Sequence, residues 1–332
     1  MKILVTGGAG FIGSHISESL AIKGHEVIIY DNFSTGSEEN ISKLRSMENV
    51  RIINGDVLDY DKLCACMKSV DVVSHQAAQL EIGSAISDSL TDARLNIEGT
   101  LNVLEAVKRT GGNKIKVIYA SSAGIYGEAI KTPQDEEHPK RPQWPYGVSK
   151  YAGELYCQQY SILYGMRACG LRYSIVYGER EWYGRVLTEF IKRVALEGKP
   201  PVVFGDGMQR RDYIYVGDLV DFHNLMVEED WDGFEAFNLG GGGSITIKDL
   251  ANLVIDAAES GMEPLFEDPP EGGYSKVTGR WRIPRELKVL ELDIRKAMSR
   301  GWKPMTELRD GIKKEIDWIK SNPKRWSVKR RV

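Results

Sequence analysis

The chain opens on MKILVTGGAGFIGSH, a short apolar run that breaks into glycines and continues as a helix-forming segment. Few sequence features restrict a fold as strongly. Gly7, Gly10 and Gly13 form a G-x-x-G-x-x-G spacing directly after a strand. That spacing predicts a turn in which the backbone reverses tightly, approaches a ligand closely and packs the next helix hard against the strand. The N-terminus of such a helix offers unpaired N–H groups and a partial positive charge to a pyrophosphate. A glycine turn with no ligand has the same spacing, so its meaning depends on the strands and acids downstream of it.

Downstream, strand and helix patterns alternate. HEVIIYD, VRIINGD, VDVVSHQAA, KIKVIYASS and ACGLRYSIVYG are Val- and Ile-rich runs separated by amphipathic stretches. Strands that are apolar on both faces predict a parallel sheet covered by helices, and six of them predict a Rossmann-type doubly wound α/β architecture. After about residue 177 the regularity ends in loop-rich segments such as REWYGR and EDPPEGGYSKVTGRWRIPRE, with helices predicted near 184–198, 216–230, 246–259 and 304–321. The expected organisation is a dinucleotide-binding domain over 1–177 and a smaller mixed α/β substrate domain over 178–211 and 239–325. The strand DYIYV and its helix, 212–238, are expected to return to the main sheet, and 326–332 forms a basic tail with no assigned role.

The cofactor reading gains from Asp31, which ends the second strand about 20 residues beyond the glycines, where an acid accepts both ribose hydroxyls of an adenosine. An acid there repels a 2′-phosphate, and Asn32 and Phe33 come next with no arginine, so NAD is expected rather than NADP. Asn32 is a further candidate contact. Asp56 in NGD either meets the adenine or simply ends a strand.

Apolar residues make up 42% of the chain, charged residues 27%, and the formal charge of −3 supplies no basic field for a nucleic-acid backbone. No run approaches the ~18–20 apolar residues of a membrane span, and four cysteines without a metal-ligand spacing suit a reducing compartment. A cytoplasmic enzyme with no metal is the expectation.

PYGVSK places Tyr146 and Lys150 four residues apart on one face of a helix. A phenol titrating near 10 is a poor base, but a nearby ammonium and a positive nicotinamide ring favour the phenolate. On an isolated helix such a pair is ordinary surface; the nucleotide turn upstream gives it meaning. Arg211 in RRDYIYV has the guanidinium fork that suits two phosphate oxygens, or it is a solvated loop residue.

Taken together, TGGAGFIGSH, the acid after the second strand, NGDV, HQAA, the SSA…YG run, YGVSK, LRY…VYG, GDG…RDYIYV and GWKP resemble the extended short-chain dehydrogenase/reductase family, specifically its nucleotide-sugar epimerases and dehydratases. The resemblance covers nearly the whole chain. It implies Tyr146 as catalytic base, Lys150 as its partner on the nicotinamide ribose and Ser122 as the hydroxyl that bonds the reacting sugar oxygen. It further implies cofactor contacts from Phe11, Ile12, Val57, Ala77, Ala78 and Asn96, a diphosphate clamp at Arg211 and a homodimer built on the helices near 91–110 and 145–165.

Within that family, dehydratases and decarboxylases carry an acid just after the polarising hydroxyl, and the GDP-mannose double epimerase carries a cysteine. Here those places hold Ala123 and Gly124. The resemblance therefore implies 4-epimerisation of a nucleotide sugar, most like a UDP-hexose or UDP-hexuronate, through a 4-keto sugar. The alternatives are a nucleotide-sugar reductase or dehydrogenase, another epimerase, or a dinucleotide sensor without chemistry. In the pocket, Ile175 stands where relatives have a substrate-binding asparagine, and Ser84 and Ala85 replace other polar residues. An acidic hexose is thus a credible substrate, with Arg180 or Arg185 as its partner. Arg282 is a candidate second phosphate contact, Phe204 could stack on a nucleobase, and Leu290 falls near a position that gates N-acetyl sugars in relatives.

Overall fold

The computed structural model describes residues 1–326, so the basic tail lies outside the described residues from 327 on. Its first half alternates: β1 (Lys2–Thr6), α1 (Phe11–Ile22), β2 (Glu26–Asp31), β3 (Val50–Asn54), α2 (Tyr60–Cys66), β4 (Val72–His75), α3 (Ile82–Ser87), α4 (Ser89–Ala93), α5 (Gly99–Thr110), β5 (Lys116–Ser122), α6 (Pro145–Tyr164) and β6 (Arg167–Tyr173). The second half adds β7 (Ile175–Tyr177), α7 (Val186–Ala195), β8 (Val202–Phe204), β9 (Arg210–Tyr215), α8 (Val216–Glu228), β10 (Phe234–Leu239), β11 (Ser244–Thr246), α9 (Ile247–Ala257), β12 (Leu265–Glu267), α10 (Arg295–Met298) and α11 (Leu308–Ser321).

Seven strands make one parallel sheet in the order β10-β6-β5-β4-β1-β2-β3. Both faces are covered. Ile3, Val5 and Ile29 point to one apolar cluster with Leu20 and Leu219, while Leu4, Ile28 and Val73 point to another with Leu104 and Val107. Alternate residues of each strand thus serve opposite layers, which is why these runs are apolar throughout. Strand order reverses between β1 and β4, and the crevice beyond their carboxyl ends is where such sheets bind ligands.

Two expectations about the second half are corrected. ACGLRYSIVYG is two strands: β6 pairs with β5 in the main sheet, the chain turns at Ser174, and β7 joins β9 and β11 in a separate three-stranded sheet. DYIYV lies in β9 and so does not return to the main sheet; α8 carries the chain back, and β10 is the seventh strand. Pattern could not reveal this, because an apolar strand reads alike in either sheet. The helix near 91–110 is also interrupted, with one π-helical turn, Arg94–Glu98, between α4 and α5.

A third apolar cluster, with Leu187, Phe190, Leu250 and Ile316, packs α7, α9 and α11 around the small sheet. Between it and the main sheet lies a cleft of about 480 Å³. Among the described residues no helix is long and apolar enough to cross a membrane.

Candidate active site

The glycine turn forms one wall of the cleft. Gly7 has φ +64°, the left-handed region that favours glycine, and a Cβ there would stand 2.7 Å from the Ala77 nitrogen. A Cβ at Gly13 would stand 2.1 Å from the Gly7 carbonyl oxygen, so the spacing lets α1 begin directly against the turn. No side chain caps α1, and its first residues, Phe11, Ile12 and Gly13, line the cleft with Gly7 and Gly10. This cradle, with an uncapped helix end and close backbone, fits a pyrophosphate.

Asp31 is buried at the end of β2, and burial raises its carboxyl above the ordinary value. Its oxygens accept the N–H groups of Ala9 at 2.9 Å and Phe33 at 2.8 Å. Asn32 donates to Asp56 at 2.9 Å, the other Asp56 oxygen accepts the Leu58 N–H at 2.9 Å, and Val57 packs beside them. All four line the cleft, as do Ala77 and Ala78 after β4. A buried acid at the end of β2 and the polar pair Asn32 and Asp56 beside the glycine cradle are residues that would fit the ribose and adenine of NAD.

Asn96, an expected cofactor contact, has its side chain engaged within the protein. Asn96 is 1% exposed and does not line the cleft. Its amide oxygen accepts the Gln79 N–H at 2.8 Å, and its NH₂ donates to the Gln79 carbonyl, Asp92 and Ser149 at 2.9–3.1 Å. It braces the segment that carries Ala77 and Ala78.

Ser122, at the carboxyl end of β5, Tyr146 and Lys150 all line the cleft, and the Ser122 hydroxyl hydrogen-bonds with Tyr146. The Ser122 hydroxyl accepts the Gly124 N–H at 3.0 Å, which turns the chain sharply beneath the start of α6. A Cβ at Gly147 would stand 2.5 Å from the Gly124 carbonyl oxygen, and one at Gly124 would stand 3.3 Å from the Ser122 hydroxyl oxygen. Small residues therefore let helix and turn touch. Burial raises the Tyr146 phenol above its ordinary value, opposed by its hydrogen bond with Ser122 and by the Arg185 charge. Lys150 is 3% exposed, its ammonium 4.4 Å from the Tyr119 ring centre. Burial lowers it to about 8, against the raising fields of Cys157, Asp92 and Glu154.

Ile175, Phe204, Arg211, Arg282 and Leu290 also line the cleft. Arg211 pairs with Glu286 at 3.1 Å and Arg282 with Asp268 at 2.5 Å. The two loop arginines separate: Arg180 turns away to Glu18 and Ser14, whereas Arg185 lines the cleft with its guanidinium 4.8 Å from the Tyr183 ring centre. Sequence reasoning missed Arg193, Glu81, Glu189 and Arg280, which also line it. Arg280 shares the RWRIPRE region with Arg282 and donates to the Gly184 carbonyl; the arginine-rich run was its only signal. Among the described residues no group of three or more His, Cys, Asp or Glu side chains could hold a metal ion.

Residues 3–240 match the model of the NAD dependent epimerase/dehydratase family. The chain is 39% identical over 327 residues to a putative UDP-glucose 4-epimerase of Methanocaldococcus jannaschii, covering 96% of this chain and 99% of that one. Among solved structures it is similar to the UDP-glucose 4-epimerase of Thermotoga maritima with UDP-glucose, at TM-score 0.86 and 33% identity, over 97% of this chain and 100% of that one. It is also similar to the UDP-glucuronic acid 4-epimerase of Bacillus cereus in complex with UDP-glucuronic acid and NAD, at TM-score 0.85 and 31% identity, over 97% and 99% of the two chains.

Proposed function

The chain belongs to the NAD dependent epimerase/dehydratase family, and on that premise we propose that it is an NAD-dependent 4-epimerase of a UDP-hexose or UDP-hexuronate. The observation that carries the reading is the wall at the end of β5, where Ser122 hydrogen-bonds with Tyr146, Lys150 lines the same cleft, and the two residues after Ser122 are alanine and glycine.

The Tyr146 oxygen takes the proton of the sugar 4-hydroxyl, Ser122 holds that hydroxyl, and the Lys150 ammonium favours the phenolate and holds the nicotinamide ribose. NAD, when bound, accepts hydride from C4 and returns it. Between the two transfers the keto sugar turns about its diphosphate linkage, so Tyr146 returns its proton to an alkoxide of opposite configuration. Ala123 and Gly124 offer no proton for dehydration. The glycine cradle, Asp31, Asn32, Asp56, Val57, Ala77 and Ala78 hold NAD; Arg211 and Arg282 serve the diphosphate, with Phe204 at the base and Ile175 beside the sugar. Residues 1–174 and 216–239 form the cofactor half, and 175–215 and 240–325 the substrate half.

One observation favours the hexuronate arm. Arg185 lines the cleft and its charge acts on Tyr146, so a cation stands near the reacting end of the sugar in addition to the diphosphate arginines. A guanidinium there suits a carboxylate.

The protein is further proposed to be a cytoplasmic homodimer that works without a nucleic acid. Supporting the dimer, Leu90 on α4 and Val148, Ile162 and Leu163 on α6 are 53–83% exposed, leaving α4 and α6 with apolar residues that the sheet does not use. Four free cysteines suit a reducing compartment.

Incubation of the purified protein with UDP-glucose, UDP-N-acetylglucosamine and UDP-glucuronate without added NAD, with products read by NMR, tests the reading. Appearance of a 4-epimer supports it. Conversion only with added NADH would instead identify a reductase, and no conversion of any sugar would reject both.

A further inference from the structure

Two residues of the ASSAGIYG run, Ser121 and Tyr126, take no part in the chemistry above, yet both are buried and point to one ion pair. Ser121 donates its hydroxyl to a Glu154 oxygen at 2.5 Å. Arg172 holds the same carboxylate through Nη2 at 2.6 Å and Nε at 3.1 Å. The remaining Arg172 nitrogen donates to the Tyr126 hydroxyl at 2.8 Å and the Glu136 carbonyl at 2.9 Å, and Tyr126 passes a hydrogen bond on to Asn238 at 2.6 Å. Glu154 and Arg172 are 3% and 4% exposed.

The network links four elements at the reacting corner. Glu154 stands on α6 one turn beyond Lys150 and two beyond Tyr146; Ser121 immediately precedes Ser122 on β5; Arg172 is on β6 and Asn238 on β10. A buried ion pair is weak evidence for stability, since desolvation offsets much of its attraction and apolar residues could fill the space. What a forked, two-point pair supplies is a fixed distance and angle between the elements it joins. Here those elements are the strand end that presents Ser122 and the helix that presents Tyr146.

We propose that Glu154 and Arg172 are positioning residues, which through Ser121 set the end of β5 against α6 so that Ser122 and Tyr146 grip one sugar hydroxyl. The proposal rests on the epimerase reading only for its activity readout. The hydroxyl of Ser121 goes to Glu154 so that its neighbour Ser122 is held for the substrate, and the adjacent serines have separate tasks.

The test compares S121A, E154Q and E154Q/R172Q by kcat, KM, bound NAD and Tm. E154Q strands a buried guanidinium and lowers both Tm and kcat. In the double variant neutral amides replace the pair: Tm recovers while kcat stays about 10- to 100-fold low, with KM and bound NAD near the wild type. S121A keeps the ion pair and Tm but loses kcat about tenfold. Wild-type kcat in S121A or in a stable double variant overturns the proposal; if the double variant fails to fold, S121A decides. If the wild-type protein turns over no nucleotide sugar, the epimerase reading fails by itself, and the crystal structure of S121A decides the positioning: Ser122 displaced from Tyr146 supports it, and an unchanged corner overturns it.

Discussion

The carboxylate of Asp31 accepts the N–H of Ala9 at 2.9 Å, so the acid at the end of β2 is tied into the glycine turn after β1. Its other oxygen accepts the Phe33 N–H, closing the loop on the far side. The acid and the turn, proposed to hold the ribose and the pyrophosphate, are therefore one structure.

Asp31→Asn turns one acceptor into a donor facing a backbone N–H. A lost buried hydrogen bond of about 1–3 kcal/mol predicts roughly tenfold or greater loss of NAD affinity, read from the cofactor that copurifies with the protein. Discrimination against NADP weakens at the same time, because the repelling charge is gone.

Gly13→Ala and Gly243→Ala should behave oppositely. At Gly13 the added carbon meets the Gly7 backbone on two atoms, at 2.1 and 2.8 Å, and no flexible side chain can move aside. Overpacking of this kind costs at least about 2 kcal/mol and should abolish NAD retention. At Gly243 the carbon meets nothing within 4 Å, and thermal unfolding should match the wild type.

Tyr146→Phe should lower kcat about 10²- to 10⁴-fold while leaving the fold intact. In the wild-type protein the rate should show an alkaline limb. Lys150 is lowered to about 8 by burial, so its ammonium, and with it the support of the phenolate, is lost as pH rises through that value. A kcat/KM profile between pH 6 and 10 checks this; a rate still rising above pH 9 would contradict it.

Glu315→Gln should stabilise the protein at high pH. Glu181 and Glu315 are 1% and 0% exposed, and both are raised above the ordinary carboxylate range, first by burial, with Glu181 then raising Glu315. A raised acid contributes stability that is present below its unfolded value and lost as pH rises through the folded one. Removing one carboxyl should thus raise Tm by roughly 2–4 °C at pH 8.5 and change it little at pH 5.

Arg185→Gln separates the two substrate arms. If the guanidinium meets a sugar carboxylate, loss of a charged hydrogen bond should raise KM for UDP-glucuronate about tenfold or more, and KM for UDP-glucose much less. Equal changes for both sugars would place Arg185 on the phosphates or on Tyr146 instead.

Local chemistry made much of the cofactor half legible. Gly7, Gly10, Gly13 and Asp31 act through backbone geometry and short range, and their spacing is visible along the chain. The substrate half was less so. Arg180 and Arg185 are five residues apart and chemically alike, yet one pairs with Glu18 on α1 and the other faces the cleft. The side chain of Asn96 makes four hydrogen bonds, to Gln79, Asp92 and Ser149, partners that no pattern predicts.

The sequence by itself determined the elements whose signal is periodic or conformational: the apolar strands, the glycine turn, the four-residue step from Tyr146 to Lys150, and the small pair Ala123 and Gly124. Only the tertiary structure decided which sheet each half of LRYSIVY joins and that Ser121 and Tyr126 serve an ion pair between Glu154 and Arg172. The physical reason is range. Dihedral preference and hydrophobic period are properties of neighbouring residues, whereas a buried charge or amide is satisfied by whatever the fold brings to it from elsewhere in the chain.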